Sequence, residues 1–391
     1  MKRSTCLILA ALGVTSGCFY EVPDLSTSTS PRGGSPNPQP PQGGAPPIDP
    51  PQGGGEAVDP PSNGGSRPLP TRCLDPDLVP SVFVAGQAGP FNVVVHEGDV
   101  FWLDRDAPGG DMGAVKMLPE AGGKEKVLAS ELKSPFGLAV DTTHVYWTAP
   151  PAKVLNRVAR AGMGSFLRVQ TNQDSPHGLA LDDTHLFWAN LNSGTIRRLA
   201  KAEVGKPGAM AQELASGQTT ARMLSLDETH VYFTRDHAHI GRVPKVGGAV
   251  EFLADPETLA SRLGNADLID VEVNGLALTA DWVYFRARGV RKEPPLEDVG
   301  VMFRVKKDGT GLQRLFDDRR AGLSFLEASA NTLFLPIPTV DGEVWRFTDE
   351  GQDITLLNCQ QEANPTSVSV STDWIYWTNS GGGTIMRTRN R

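Results

Sequence analysis

Cysteine is scarce in this sequence, and positive charge is not in excess. The 391 residues include four cysteines, and 37 Lys and Arg stand against 45 Asp and Glu, a formal net charge of -8. A chain of this length can bury a real core and fold without disulfide staples. The acidic balance excludes the basic face typical of nucleic-acid-binding proteins, so we expect no nucleic-acid partner.

Helical periodicity, a membrane-spanning run and the common catalytic motifs are also missing. The apolar stretch at residues 5–14 is roughly ten residues long, which is too short to cross a bilayer. The sequence contains no Gly-x-Ser-x-Gly elbow, P-loop, His-Glu-x-x-His or Cys-x-x-Cys motif. It therefore offers no standard signature of a serine hydrolase, a nucleotide-binding enzyme or a zinc protease.

The N-terminus has the form of an export signal. Two basic residues precede the apolar stretch, and Ser16-Gly17 precedes Cys18. This segment resembles the lipobox of bacterial lipoproteins, which implies a signal peptide over 1–17 and lipidation of Cys18. Attachment to the membrane would then rest on acyl chains. Phe19 is not the Asp type of inner-membrane retention signal, so the resemblance implies the outer membrane, with simple secretion as the alternative.

Residues 18–72 are predicted to be a disordered tether. Most of the segment is Pro, Gly, Ser, Asn and Gln, including the loose repeat 40–44, 50–54 and 60–65. Such a composition cannot bury enough apolar surface to offset the entropy of ordering. We interpret it as a spacer between a membrane and a folded domain over 73–391, with a proline-rich ligand for an aromatic groove as the alternative.

From residue 90 onward the sequence repeats. Each copy holds an apolar run followed by an aromatic run, and most copies add a Gly-x-Ile-x-Arg-like segment and a short closing segment. The aromatic runs are Phe101-Trp102, Val145-Tyr146-Trp147-Thr148, Leu186-Phe187-Trp188-Ala189, Val231-Tyr232-Phe233-Thr234, Val283-Tyr284-Phe285, Leu333-Phe334-Leu335 and Ile375-Tyr376-Trp377-Thr378. Four short strands recurring every roughly 41 to 52 residues are typical of propeller blades.

The repeat predicts an all-β fold, a β-propeller of seven blades with four antiparallel strands each, with six or eight blades as alternatives. The seventh copy ends after its third strand. Ser81–Ala85 has the form of the missing strand and would close the ring by pairing with the last blade.

The Tyr-Trp-Thr runs followed by Gly-x-Ile-x-Arg are similar to the motifs of known propeller families. These motifs resemble YWTD-type and NHL-type propellers across about residues 80–391, but Ala149 and Asn379 stand where the family has Asp. YWTD domains also usually have six blades. The chain is similar as well to the streptogramin-lyase type of seven-bladed propeller, which is a metal-dependent enzyme.

Two cysteines remain in the folded part, Cys73 and Cys359. In an oxidising compartment they are readily interpreted as a disulfide between neighbouring blades. Two unpaired thiols are the alternative, and geometry decides between them.

The candidate ligand-binding residues enter the inner strands, where propellers commonly bind ligands. One residue per copy occupies this place, and the set comprises Phe91, Phe136, His177, Arg222, Asn274, Ser324 and Thr366. The alternative is that they are turn residues without a ligand.

A divalent metal is the candidate cofactor, although no cofactor is the main expectation. His237 and His239 are two residues apart, so on a strand both imidazoles would point the same way. Asp236 or His177 would supply a third ligand. The alternative is a pair of solvated turn histidines.

The sequence leads to two functional hypotheses. The first is a non-enzymatic binding or scaffold module on the cell envelope, with an envelope protein or a small molecule as partner. The second is a metal-dependent lyase or hydrolase, streptogramin-lyase-like or lactonase-like, on the same fold.

Overall fold

The computed structural model describes residues 79–105, 112–162, 165–235, 239–262, 268–291, 298–318, 324–339, 342–358 and 364–391. The predicted signal peptide (1–17) and tether (18–72) lie outside these residues, as do Cys18, Cys73 and Cys359. Among the described residues, no helix is both long enough and apolar enough to cross a bilayer.

The described residues form seven four-stranded antiparallel sheets, each a blade with its first strand innermost. The N-terminal strand is β1 (Ser81–Val84). Blade one holds β2 (Pro90–His96), β3 (Asp99–Asp104), β4 (Gly113–Pro119) and β5 (Lys126–Leu132). Blade two holds β6 (Leu138–Val140), β7 (His144–Ala149), β8 (Val154–Ala159) and β9 (Leu167–Gln170). Blade three holds β10 (Pro176–Leu181), β11 (His185–Asn190), β12 (Thr195–Ala200) and β13 (Gln212–Ala215).

The remaining blades follow the same order. Blade four holds β14 (Leu224–Leu226), β15 (His230–Arg235), β16 (His239–Pro244) and β17 (Glu251–Ala254). Blade five holds β18 (Leu268–Leu278), β19 (Trp282–Arg291), β20 (Asp298–Lys306) and β21 (Gln313–Asp318). Blade six holds β22 (Glu327–Ser329), β23 (Thr332–Ile337), β24 (Glu343–Thr348) and β25 (Thr355–Leu356). Blade seven holds β26 (Pro365–Val370), β27 (Trp374–Asn379) and β28 (Thr384–Arg389), with β1 outermost.

The predicted seven-bladed propeller is confirmed. β1 pairs antiparallel with β28, with Val82 opposite Met386, so the N-terminal strand completes the last blade. Pairing the first strand with the last removes an open edge and joins the two ends of the ring.

The aromatic run of each blade fills two interfaces at once. In β7, Trp147 packs with Phe101 and Leu103 of blade one, whereas Tyr146 packs with Trp188 of blade three. Successive side chains of a strand point to opposite faces of the sheet, so adjacent aromatic residues serve opposite neighbours. The repeated aromatic pair is thus the core of the ring.

Threonines that follow the aromatic residues link neighbouring blades through hydrogen bonds. The Thr148 hydroxyl accepts from the Gly137 backbone N–H at 2.7 Å and donates to the His177 carbonyl of blade three at 2.8 Å. At the ring closure, the Thr378 hydroxyl donates to the Phe91 carbonyl of blade one at 3.3 Å. Both threonines are fully buried, so these bonds satisfy polar groups that water does not reach.

Third-strand arginines make a second link to the next blade. Their guanidinium groups donate to a backbone carbonyl that follows the next third strand. The pairs are Arg157 with Val204, Arg198 with Lys245, Arg242 with Lys307, Arg304 with Asp349 and Arg387 with Glu120. The arginine of the Gly-x-Ile-x-Arg segment therefore holds blades together.

Three aspartates in the turns after inner strands bind lysines of the following blade. Asp141 lies 2.8 Å from Lys201, Asp182 lies 2.9 Å from Lys245, and Asp227 lies 3.3 Å from Lys307, measured between carboxylate oxygen and Nζ. Burial alone would raise the pKa of Asp141, but hydrogen bonds from Lys201 and from the Thr143 and His144 backbone outweigh it and hold the pKa far below its usual value.

The structure also contains a short helix, α1 (Pro256–Arg262), which the sequence did not lead us to predict. Asp255 caps it, since its carboxylate accepts from the Thr258 N–H at 2.8 Å while the Thr258 hydroxyl bonds back to Asp255. Leu259 is its buried anchor. A helix of two turns is too short to display an apolar period.

We predict that Thr148→Val lowers the free energy of unfolding by about 1–3 kcal/mol, because it leaves the buried Gly137 N–H and His177 carbonyl without their shared partner. Denaturant unfolding measures the change. Thr148→Ser keeps the hydroxyl and serves as the control, with a smaller loss expected. Equal losses in the two variants would show that the methyl group, not the hydrogen bonds, matters.

Candidate functional site

The seven predicted ligand-binding residues occupy equivalent places in or shortly before the seven inner strands, at one end of the central channel. Phe91, His177 and Thr366 are the second residues of β2, β10 and β26, Asn274 lies in the middle of the longer β18, and the others come two or three residues before β6, β14 and β22. We call this end of the channel the mouth.

An aromatic cluster occupies the mouth. The Phe91 and Phe136 ring centroids are 5.4 Å apart, and Phe325 of blade six lies 5.4 Å from Phe91 and 5.7 Å from Phe136. The His177 ring lies 4.5 Å from Phe136. Centroid separations of this size are those of attractive tilted and edge-to-face pairs. Rings from blades one, two, three and six therefore meet at the mouth.

Arg105 brings positive charge to the aromatic cluster. Its guanidinium carbon lies 4.2 Å from the Phe91 centroid, and its Nη2 donates to the Ser134 hydroxyl at 2.7 Å. The adjacent Asp104 does not neutralise it, because that carboxylate binds the Lys116 ammonium at 2.8 Å and the Gly89 N–H at 2.7 Å. The fork of Arg105 retains donors for a bound anion.

His177 is held neutral with a defined tautomer. Its Nδ1 lies 2.9 Å from the Ser175 carbonyl oxygen, which can only accept, so Nδ1 carries the proton and Nε2 is left as an acceptor. Burial lowers the pKa of His177 to about 4; the hydrogen bond to Ser175 opposes this, and the charges of Arg222 and Arg105 add to it. At neutral pH the imidazole therefore carries no charge.

Three of the predicted residues hold the backbone together. The Ser324 hydroxyl donates to the Pro336 carbonyl at 2.6 Å, and the Thr366 hydroxyl donates to the Phe91 carbonyl at 2.7 Å. Asn274 accepts from the Arg286 guanidinium at 3.4 Å. All three residues are buried. Their side chains support the mouth, while Phe91, Phe136 and His177 form its surface together with the charge of Arg222.

Sequence reasoning missed Phe325 and Arg105. Phe325 occupies the inner-strand position that Gly137, Gly178 and Gly275 hold in other blades, one place after the predicted Ser324. Asn92, Met223 and Ser367 hold this position in the remaining blades, and a phenylalanine among such residues was a usable signal of a ring pointing toward the channel. Arg105 follows the second strand of blade one, and its place above Phe91 depends on a loop that the repeat does not specify.

Beneath the mouth lies a cavity of about 340 Å³, lined by the inner strands and open to solvent. Most of its walls are Val, Leu, Ala and Ser, and Glu327 is its ionisable lining residue. Part of the Glu327 side chain is accessible, but protein surrounds the space it faces. Burial raises its pKa to about 7. The carboxyl group therefore keeps its proton to a higher pH than an ordinary glutamate does.

The predicted metal site lies partly outside the described residues, since these do not include Asp236 and His237. His239 begins β16, and its ring lies 5.3 Å from Phe252 of the outer strand β17, whereas His177 lies at the mouth. The described part of the chain contains no group of three His, Cys, Asp or Glu residues placed to hold a metal ion.

Known proteins resemble this chain in fold. No family model and no curated protein matches it. Among solved structures, streptogramin B lyase is 14% identical with a TM-score of 0.57, covering 80% of this chain and 98% of its own. A catalytically inactive virginiamycin B lyase from Staphylococcus aureus, with quinupristin, is also 14% identical, with a TM-score of 0.59 and coverage of 80% and 99%.

A third structure comes from a different class of repeat. The WD40 repeats of RRP9 are 10% identical with a TM-score of 0.55, covering 80% of this chain and 97% of their own. Identities this low establish the propeller alone, because one fold carries many unrelated functions.

We predict that Glu327→Gln stabilises the protein at high pH. Burial raises the pKa of Glu327 in the folded protein to about 7, whereas its pKa in the unfolded chain is about 4.3. The wild type therefore has its full free energy of unfolding below about pH 4.3 and loses part of it as the pH rises to 7. The variant should therefore gain about 2–3 kcal/mol over the wild type between pH 4 and pH 8.

Denaturant unfolding across this pH range measures the gain. Glu228→Gln, which alters an exposed turn carboxylate, is the control and should show no such trend. A stability difference between Glu327→Gln and the wild type that is constant with pH would contradict the prediction.

Proposed function

We propose that this chain is an exported lipoprotein, anchored through Cys18 to the outer membrane, whose propeller is a non-enzymatic binding module. Its ligand docks at the mouth and combines an anionic group with an aromatic or flat apolar body. The observation that carries this proposal is the contact of Arg105 with the ring cluster of Phe91, Phe136 and Phe325.

The mouth offers three complementary contacts. Aromatic faces favour a planar apolar body, and such contacts contribute beyond simple burial. The guanidinium of Arg105 favours an anion, since its planar fork matches carboxylate and phosphate geometry. The free Nε2 of His177 accepts a hydrogen bond from the ligand.

The chemistry of the mouth favours binding over catalysis. A general base works best with a pKa near the operating pH, and the pKa of His177 lies at about 4. The alternative is a metal-dependent lyase or lactonase. It has the support of the fold shared with streptogramin B lyase. The described residues supply no metal cluster for it, and Asp236 and His237 stay a prediction.

We predict that the fluorescent anion 8-anilinonaphthalene-1-sulfonate binds the native protein at the mouth. Arg105→Gln should weaken binding at least about tenfold, because it removes a charge-assisted hydrogen bond worth about 1.5–3 kcal/mol. Phe325→Leu should also weaken it, through loss of a ring contact. Fluorescence titration in the presence and absence of EDTA measures the affinity.

The control is Arg389→Gln, which removes a guanidinium lying 3.9 Å from the Trp374 ring at the other end of blade seven. It should leave the affinity unchanged. Equal affinity in Arg105→Gln and the wild type would exclude the mouth as the site. Loss of binding with EDTA would favour the metal-dependent alternative.

We predict that Cys18→Ser abolishes lipidation. In bacterial cells supplied with labelled palmitate, the wild-type chain should carry the label and fractionate with membranes, because acyl chains are its anchor. The variant should lose both properties. Label retained by the variant, or absent from the wild type, would refute the lipoprotein assignment without bearing on the mouth.

A further inference from the structure

Glu327 occupies a position that the fold fills with small or aliphatic neutral residues in every other blade. The residue in this position pairs with the first aromatic residue of the blade's aromatic run, as Glu327 pairs with Phe334. The six equivalents are Val94, Ala139, Ala180, Ser225, Ala277 and Ser369. Packing of the ring therefore does not require a carboxyl group, and its burial is a cost to stability.

The surroundings of Glu327 supply acceptors and apolar walls but no opposite charge. Burial is the cause of its raised pKa, with no hydrogen bond or ion pair from the described residues contributing. β22 is the innermost strand of its sheet, so one of its backbone edges has no partner strand within the blade. Phe325 lines the same cavity.

We propose that the cavity beneath the mouth binds a small primary ammonium compound with an apolar body, held by the Glu327 carboxylate. The ammonium group brings three donors, one for Glu327 and two for other polar groups of the lining such as the Ser225 hydroxyl. Its apolar body contacts the Val and Leu walls and the Phe325 ring, which also attracts the positive charge. This site shares Phe325 with the mouth, but it takes a cation, whereas the mouth is proposed to take an anion.

Charge and ligand number favour an ammonium over a metal ion. Calcium takes six to eight oxygen ligands, commonly with several carboxylates, whereas the cavity residues include a single carboxylate. A monovalent organic cation is neutralised by one carboxylate, and its apolar part gains from walls that a hydrated metal would not use.

Binding should depend on pH through Glu327. Its strand packs against β18, β23 and β26. β23 and β26 contain no charged residue, and the charged residues of β18, Asp270 and Glu272, precede the part of that strand that lines the cavity. At the mouth, His177 stays neutral above about pH 5.

The test uses calorimetric titration of the full chain with benzylammonium chloride, with benzyl alcohol as the neutral isostere. We expect one site per chain at pH 8, at least about tenfold weaker binding of the alcohol, and about tenfold weaker binding of the cation at pH 6. Glu327→Gln should reduce the affinity at least about tenfold, while Glu228→Gln retains it.

Several outcomes would overturn the proposal. The first is that benzylammonium does not bind at concentrations up to about 10 mM, which would detect even a millimolar dissociation constant. The second is that Glu327→Gln binds benzylammonium with the same affinity as the wild type. Tetramethylammonium binding as tightly as the primary amine would refute the hydrogen-bonded geometry. Circular dichroism and the melting midpoint verify that Glu327→Gln is folded, and chemical-shift changes confined to β22 and its neighbours would place the ligand in the cavity.

Discussion

The contact between one blade and the next is the constraint on which the whole structure depends. A four-stranded sheet cannot bury both faces alone, so each blade must be sealed to its neighbours. Apolar side chains fill the interfaces, but the inner strands also carry buried polar groups that require partners. The hydroxyl of Thr148 satisfies two of them, one from each side of the interface.

The sequence motifs that first draw attention are therefore architectural. The Tyr-Trp-Thr run supplies two rings and a bridging hydroxyl, and the arginine of the third strand reaches a carbonyl of the following blade. The residues that recur in every blade of a propeller are those that seal the blade to its neighbours. Residues that depart from the repeat, such as Phe325 and Glu327, are instead the candidates for binding a ligand.

This distinction explains how far the sequence predicts the molecule. The blade number, the strand order and the closure by β1 follow from the period of the aromatic runs, and the structure agrees. Phe91, Phe136 and His177 were found because propellers use the residues that enter inner strands. Phe325 and Arg105 were missed because contacts across the channel depend on side-chain length and loop path, which a period does not encode. The sequence did not lead us to predict α1 because its local signal is limited to the cap formed by Asp255 and Thr258.

The pairing of β1 with β28 has a consequence for the order in which the molecule can be completed. The ribosome produces β1 before any blade, yet β28, the strand it pairs with, follows all the other described strands in the chain. Until β28 is made, the first strand has no ladder to join, and blade seven lacks its outer edge. Contacts between such distant parts of a chain form slowly because the intervening loop must first be closed. Ring closure therefore cannot precede the synthesis of β28, and a nascent chain interrupted before this strand would carry an open sheet edge at which pairing with other chains can begin.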